Sequence, residues 1–264
     1  MSYSTILLSI LAAGLLMHVA VCILPHFPAR GDEGGDQTKG VLIFSESIRW
    51  LGVRWGMRSV TAGLRAAGYK GEVLYWQWHA GWRGWLVIPA LRGARSLENA
   101  ACELAKFIET RRVENPARPI YLVGYSAGGY VAVRALELLK DSVEVDSAAL
   151  LAAAIDPRRN LAAALSHIRS RLVICSSLGD WCICGLGTLV LGTCDGRHGP
   201  SMGMVARRPQ SSPSEALLSP TVAQKIVEIR WRPGMIRSGN WGGHFSAPAA
   251  GYIARYVAPA MRIA

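Results

Sequence analysis

A serine held between glycines, at Gly124-Tyr125-Ser126-Ala127-Gly128, is the part of this sequence best suited to nucleophilic chemistry. The apolar run Ile120-Tyr121-Leu122-Val123 precedes it and an apolar-periodic stretch follows, so Ser126 is expected at a sharp turn from strand into helix. Glycines suit such a turn because a side chain there collides with neighbouring backbone. At a helix N-terminus the hydroxyl is presented outward, and the backbone N–H of Ala127 can stabilise negative charge on an oxygen beside it.

A hydroxyl needs a base to take its proton, and the base in turn needs a group to orient it. His244 is the candidate base. It lies in Asn240-Trp241-Gly242-Gly243-His244-Phe245, after the last apolar β-branched run and before a helical stretch opened by Ser246 and Pro248. An imidazole with an unperturbed pKa of about 6.5 can accept the serine proton and return it to a leaving group. Of the other histidines, His18 and His26 precede the folded domain, His167 falls in a helical stretch, and His79 and His198 fall in loops. Asp180, closing Val173-Ile174-Cys175-Ser176-Ser177-Leu178-Gly179-Asp180, is the first candidate for the orienting acid, with Asp195 and Asp156 as alternatives.

Six short apolar runs must position these residues: 41–44, 72–76, 120–123, 147–153, 172–176 and 226–231. They alternate with helical patterns over 53–67, 97–112, 127–140 and 158–168, and a last one over 247–257. This alternation predicts an α/β fold with a mostly parallel sheet covered on both faces by helices, and ligands at the carboxyl ends of the strands. The interval between Ala153 and Arg171 is too short for a large lid domain. Residues 179–203, rich in glycine, read as a long loop able to fold over the site.

The segment 121–139 resembles the nucleophile elbow and following helix of the α/β-hydrolase superfamily of lipases, esterases and thioesterases, and the resemblance extends over roughly residues 40–259. It implies a chain order of serine, acid and histidine, which Ser126, Asp180 and His244 satisfy, with an oxyanion hole from Ala127 and the loop after the first strand. That loop, Phe44-Ser45-Glu46-Ser47, lacks the His-Gly or Gly-Gly common in lipases, so Ser45 or Glu46 is the expected second donor. The implied activity is a serine hydrolase cleaving a carboxylic ester or thioester through an acyl-enzyme on Ser126. The alternatives are an acyltransferase using the same triad, or a catalytically silent binding protein. No cofactor is expected.

The 264 residues suffice for one large domain, and three regions are expected: a hydrophobic anchor or signal over 1–24, a linker over 25–39, and the hydrolase domain over 40–264. Residues 6–24 are almost wholly apolar and uncharged, which reads as a single membrane span, with secretion or periplasmic release after signal cleavage as the alternative. The formal charge of +11 is scattered along the chain and comes without a nucleic-acid-binding motif, so a small-molecule or lipid ester and a membrane are the expected partners, and nucleic acid is not. Cys182, Cys184, Cys194 and His198 share one segment. Their spacing is unlike the usual zinc knuckle, and unpaired thiols or one disulfide from Cys194 are the competing readings. Trp76, Trp78, Trp82 and Trp85 crowd the stretch after the second run, as core, pocket rim or membrane-facing rings.

Overall fold

The computed structural model describes residues 2–23, 34–46, 56–76, 94–208 and 224–263. Six parallel strands form one sheet: β1 (Asp36–Ser45), β2 (Gly71–Trp76), β3 (Ile120–Tyr125), β4 (Val145–Leu151), β5 (Ile168–Ser176) and β6 (Ile226–Arg230), in the order β2-β1-β3-β4-β5-β6. All six runs expected from the sequence are strands. The long apolar stretches in β1, β3, β4 and β5 follow from burial on both faces, as a parallel sheet demands.

Alternate residues point to opposite faces. Val41, Ile43, Leu122, Ala148, Leu150, Leu172 and Ile174 pack on α3 (Ala94–Glu114) and α4 (Ala127–Glu137) through Leu104, Ile108, Val131 and Leu136. Leu42, Phe44, Val123, Tyr125, Ala149, Leu151, Val173 and Cys175 form the other face with α2 (Met57–Ala66), through Val60 and Leu64, and with the C-terminal segment, through Tyr252, Ile253 and Val257. From β1 the chain steps to β2 on one side and then to β3 on the other, so the direction of winding reverses between β1 and β3. At such a reversal a crevice opens at the carboxyl ends of the two strands. Ser45 ends β1 there, and Ser126 follows β3.

Several expected elements differ. Residues 179–203 are not a loop: a π-helix (Trp181–Gly187), α6 (Thr188–Leu191) and a turn lead into α7 (Met202–Val205), whose backbone bonds to Ala153 and Ile155 at the end of β4. The helix expected over 158–168 shortens to α5 (Ala162–Ser166), because the Asn160 side chain accepts from the N–H of Ala162 and starts the helix late. The last helix breaks into α8 (Ala250–Tyr252), a π-turn (Ile253–Val257) and α9 (Ala258–Ala260), with Gly251 inside it and Pro259 near its end.

The expected membrane span is overturned. Residues Tyr3–Ile23 are helical (α1), yet among the described residues no helix is long and apolar enough to cross a membrane. The anchored location is corrected accordingly, and the membrane as partner has no support from a spanning helix among the described residues. Trp78, His79, Trp82, Trp85 and Ser47 lie outside the described residues. Trp76 is half-buried, its ring 5.3 Å from that of Phe107 in the core.

Candidate active site

The passage from β3 into α4 has no room for side chains at its glycines. A Cβ on Gly124 would stand 2.6 Å from Cα of Gly129, and one on Gly128 would stand 2.1 Å from the carbonyl oxygen of Ser45. These close approaches bring the start of α4 against the end of β1 and force Ser126 to φ 55° and ψ −121°. A non-glycine residue in this region is strained, and such strain persists only where surrounding structure holds it. Here the Ser126 N–H donates to the carbonyl of Leu151 at 2.9 Å, and the Ser126 carbonyl accepts from Gly129 and Ala154 at 3.0 and 3.1 Å.

The Ser126 hydroxyl donates to Nε2 of His244 at 3.0 Å, and Nδ1–H of His244 donates to Oδ2 of Asp180 at 2.7 Å. A carboxylate can only accept, which fixes the imidazole proton on Nδ1 and leaves the Nε2 lone pair for the serine. All three residues are buried. Asp180 caps the π-helix: its Oδ1 accepts from the N–H of Cys184 at 3.1 Å while Oδ2 faces the imidazole. The histidine loop is held from several sides. The Tyr125 hydroxyl donates to the His244 carbonyl at 3.2 Å, the Trp231 indole to the Asn240 carbonyl at 2.9 Å, and the Trp241 N–H to the Ser246 hydroxyl at 3.1 Å.

Asp156 and Asp195 are not at the imidazole. The Asp156 carboxylate pairs with Arg197 at 3.1 Å and Arg158 at 3.5 Å, and Asp195 pairs with Arg159. Burial pushes the Asp195 carboxyl up while Arg159 beside it pulls it down. A cavity of about 170 Å³ opens on this side, lined by Asp156, Arg158, Arg197, His198 and Arg208 and not by Ser126.

Ser45 and Glu46 are buried beside the elbow. The Glu46 carboxylate turns away and accepts from the N–H of Gly56 at 2.5 Å, steadying the approach to α2. The Ser45 hydroxyl is buried and has no hydrogen-bond partner among the described residues. Sequence reading considered only the backbone there and missed this hydroxyl. It also missed Tyr125 and Cys184 as neighbours of the histidine. Tyr125 had a signal, since the residue before the serine lies on the β3 face toward the last helix; Cys184 had none.

Cys182, Cys184 and Cys194 are free thiols. Among the described residues the one group able to surround a metal ion is Asp180, Cys184 and His244, so Cys182, Cys184, Cys194 and His198 do not converge as a set of four ligands.

The sheet order and the strained serine between β3 and α4 decide the architecture. The fold is that of the α/β-hydrolases. The family described as serine aminopeptidase, S33, matches residues 82–184, which include Ser126 and Asp180. No curated protein matches the chain. Among solved structures, the chain is similar to a cutinase from Trichoderma reesei in complex with a phosphonate inhibitor, with 16% identity, 92% of this chain and 89% of the other covered, and a TM-score of 0.43. A cutinase-like protein from Cryptococcus sp. matches with 14% identity, coverage of 86% and 98%, and a TM-score of 0.43. A carboxylesterase from Mesorhizobium loti matches with 13% identity, coverage of 85% and 90%, and a TM-score of 0.43. The matched family and these neighbours are hydrolases by description.

Proposed function

We propose that the chain is a serine hydrolase that cleaves a carboxylic ester or thioester through an acyl-enzyme on Ser126. The observation that carries this reading is the unbroken relay from the Ser126 hydroxyl to His244 at 3.0 Å and from His244 to Asp180 at 2.7 Å. Ser126 attacks the carbonyl while Nε2 of His244 takes its proton. The imidazolium then protonates the leaving alcohol or thiol, and the same nitrogen activates water to release the acid. Asp180 holds the tautomer and stabilises the imidazolium without itself being protonated.

The tetrahedral oxyanion is held by the N–H of Ala127 and, opposite it, by Ser45. A buried hydroxyl without a partner is costly in the resting fold, and that cost is consistent with a donor kept for the transition state. Leu178, Trp181 and Trp241 are more than half exposed within three residues of Asp180 or His244, which favours an apolar group on the substrate.

A second reading, amide hydrolysis, is favoured by the S33 match, because an aminopeptidase uses the same acyl-enzyme. Fluorophosphonate labelling of wild type, Ser126→Ala and His244→Ala, followed by rates on p-nitrophenyl esters and aminoacyl p-nitroanilides, tests both. Labelling that vanishes in Ser126→Ala, with turnover of the esters alone, is the expected result. Anilide turnover at comparable kcat/KM moves the assignment to a peptidase, and ester products formed with added alcohol move it to an acyltransferase. A folded wild type that takes no label overturns the reading in favour of a silent binding protein.

A further inference from the structure

Serine chemistry has no use for a thiol, yet one is packed against the back of the imidazole. Cys184 is fully buried, and its Sγ lies 3.6 Å from Nδ1 of His244 and donates to the carbonyl of Ala152 at 3.3 Å. Asp180 stands on the same side, and one ligand atom from each of Asp180, Cys184 and His244 lies within 4.8 Å of the other two. Sulfur, imidazole nitrogen and carboxylate oxygen are the three donor types zinc prefers, and three protein ligands with an open fourth position is a common zinc arrangement.

We propose that Asp180 Oδ2, Cys184 Sγ and His244 Nδ1 form an inhibitory site for a thiophilic divalent cation of the zinc type. Tetrahedral zinc with bonds of about 2.0–2.3 Å keeps its donor atoms roughly 3.3–3.7 Å apart. The sulfur-to-nitrogen distance of 3.6 Å already matches. The nitrogen-to-oxygen distance of 2.7 Å has to open by roughly 0.6 Å, which a small rotation of the Asp180 carboxylate supplies. The protons balance simply. Cys184 gives its thiol proton to solvent, the imidazole moves its proton from Nδ1 to Nε2, and Asp180 enters as the carboxylate it already is.

The consequence for catalysis follows from that tautomer. With Nδ1 bonded to the metal and Nε2 carrying the proton, no lone pair faces Ser126, and the hydroxyl is left without a base. Inhibition is reversible, because no covalent bond is made. The π-helix (Trp181–Gly187) carries Cys184 and is the segment that has to open for the cation to enter, so zinc is added well before substrate.

The effect on turnover rests on the serine-hydrolase reading, but the binding does not, and the test separates them. Full-length protein with Co(II) as probe is expected to develop thiolate-to-metal absorption in the near ultraviolet. Cys184→Ala is expected to lose this band, and Cys182→Ala, which alters the neighbouring partly exposed thiol, to keep it. In parallel, Zn(II) preincubation is expected to suppress ester turnover of wild type, with recovery on EDTA. Each variant is compared with its own metal-free rate, and the inhibition constant of Cys184→Ala is expected to rise at least about tenfold. The same zinc sensitivity in Cys184→Ala, or a cobalt band that survives that substitution, overturns the proposal. If no ester is turned over at all, the band and its loss in Cys184→Ala still decide the site.

Discussion

Two clusters of carboxylates stand at the carboxyl end of the sheet, and their partners set them apart. Around Asp180 there is an imidazole and a backbone N–H, and no arginine pairs with it among the described residues. Asp156 and Asp195, by contrast, are tied to Arg158, Arg197 and Arg159, and Arg159 continues through Glu137 to Arg134 and Glu98. A guanidinium is permanently charged and satisfies a carboxylate with a planar fork of donors, so the arginine-bound aspartates are committed to structure. The acid facing an imidazole has a partner whose charge can change, which is what proton transfer needs. Position after a strand is common to Asp156 and Asp180; the partner distinguishes them.

The largest effects are expected on the imidazole side. His244→Ala lowers kcat by about 10⁶-fold, as loss of a triad base does elsewhere, and a modest loss in a folded variant breaks the proposed division between the clusters. Next, Asp180→Asn leaves the geometry in place but permits the wrong tautomer, and lowers kcat on the order of 10⁴-fold. Asp156→Asn leaves kcat near wild type in the same assay, and equal losses in both variants refute the comparison.

On the arginine side the expected effect is on stability. Arg159→Met takes the arginine from the largely buried Asp195 and leaves Glu137 with Arg134 alone, and costs about 3–5 kcal/mol in denaturant unfolding with little change in the kcat of the folded fraction. Ser45→Ala sharpens the boundary between the two kinds of role. Removing an unsatisfied buried hydroxyl leaves stability equal or slightly raised, while loss of an oxyanion donor lowers kcat by about 10²–10³-fold. A stability loss with unchanged kcat makes Ser45 structural.

The smallest effect is at the outer end of the arginine chain. Hydrogen bonds from Arg134 hold the Glu98 carboxyl below its ordinary value. A lowered carboxylate contributes stability that is present above the unfolded value and is lost as pH falls through the lowered folded value. Both side chains are about a third exposed, so Glu98→Gln costs under about 1 kcal/mol at neutral pH, and the difference from wild type closes in acid.

Much of the sheet was legible because strands buried on both faces need unbroken apolar runs, as in Val41 to Phe44 and Leu172 to Cys175. Ser126, Asp180 and His244 could be picked out as candidates by their places after β3, β5 and β6, and the fold brings their side chains within hydrogen-bond distance. The helical character of 179–203 was hidden, because Gly179, Gly185, Gly187 and Gly192 mask a buried face that shows only as Cys184 and Thr188, four residues apart. The N-terminal apolar run misled: it predicts a helix, which forms over Tyr3–Ile23, but among the described residues no helix is long and apolar enough to cross a membrane. Cys184 behind His244 and the orphaned Ser45 hydroxyl were illegible, because each arises from contacts made only when distant segments meet.

Ser126 and His244 are 118 positions apart in the chain, and His244 and Asp180 are 64 apart. The elbow itself is local, a strand and helix that can form together early in folding. Contacts of such long separation pay a large loop-closure cost and form late. On the ribosome, sheet and serine can therefore be assembled while the segment carrying His244 is still being made. Under the proposed mechanism, turnover has to wait until the segment carrying His244 has docked.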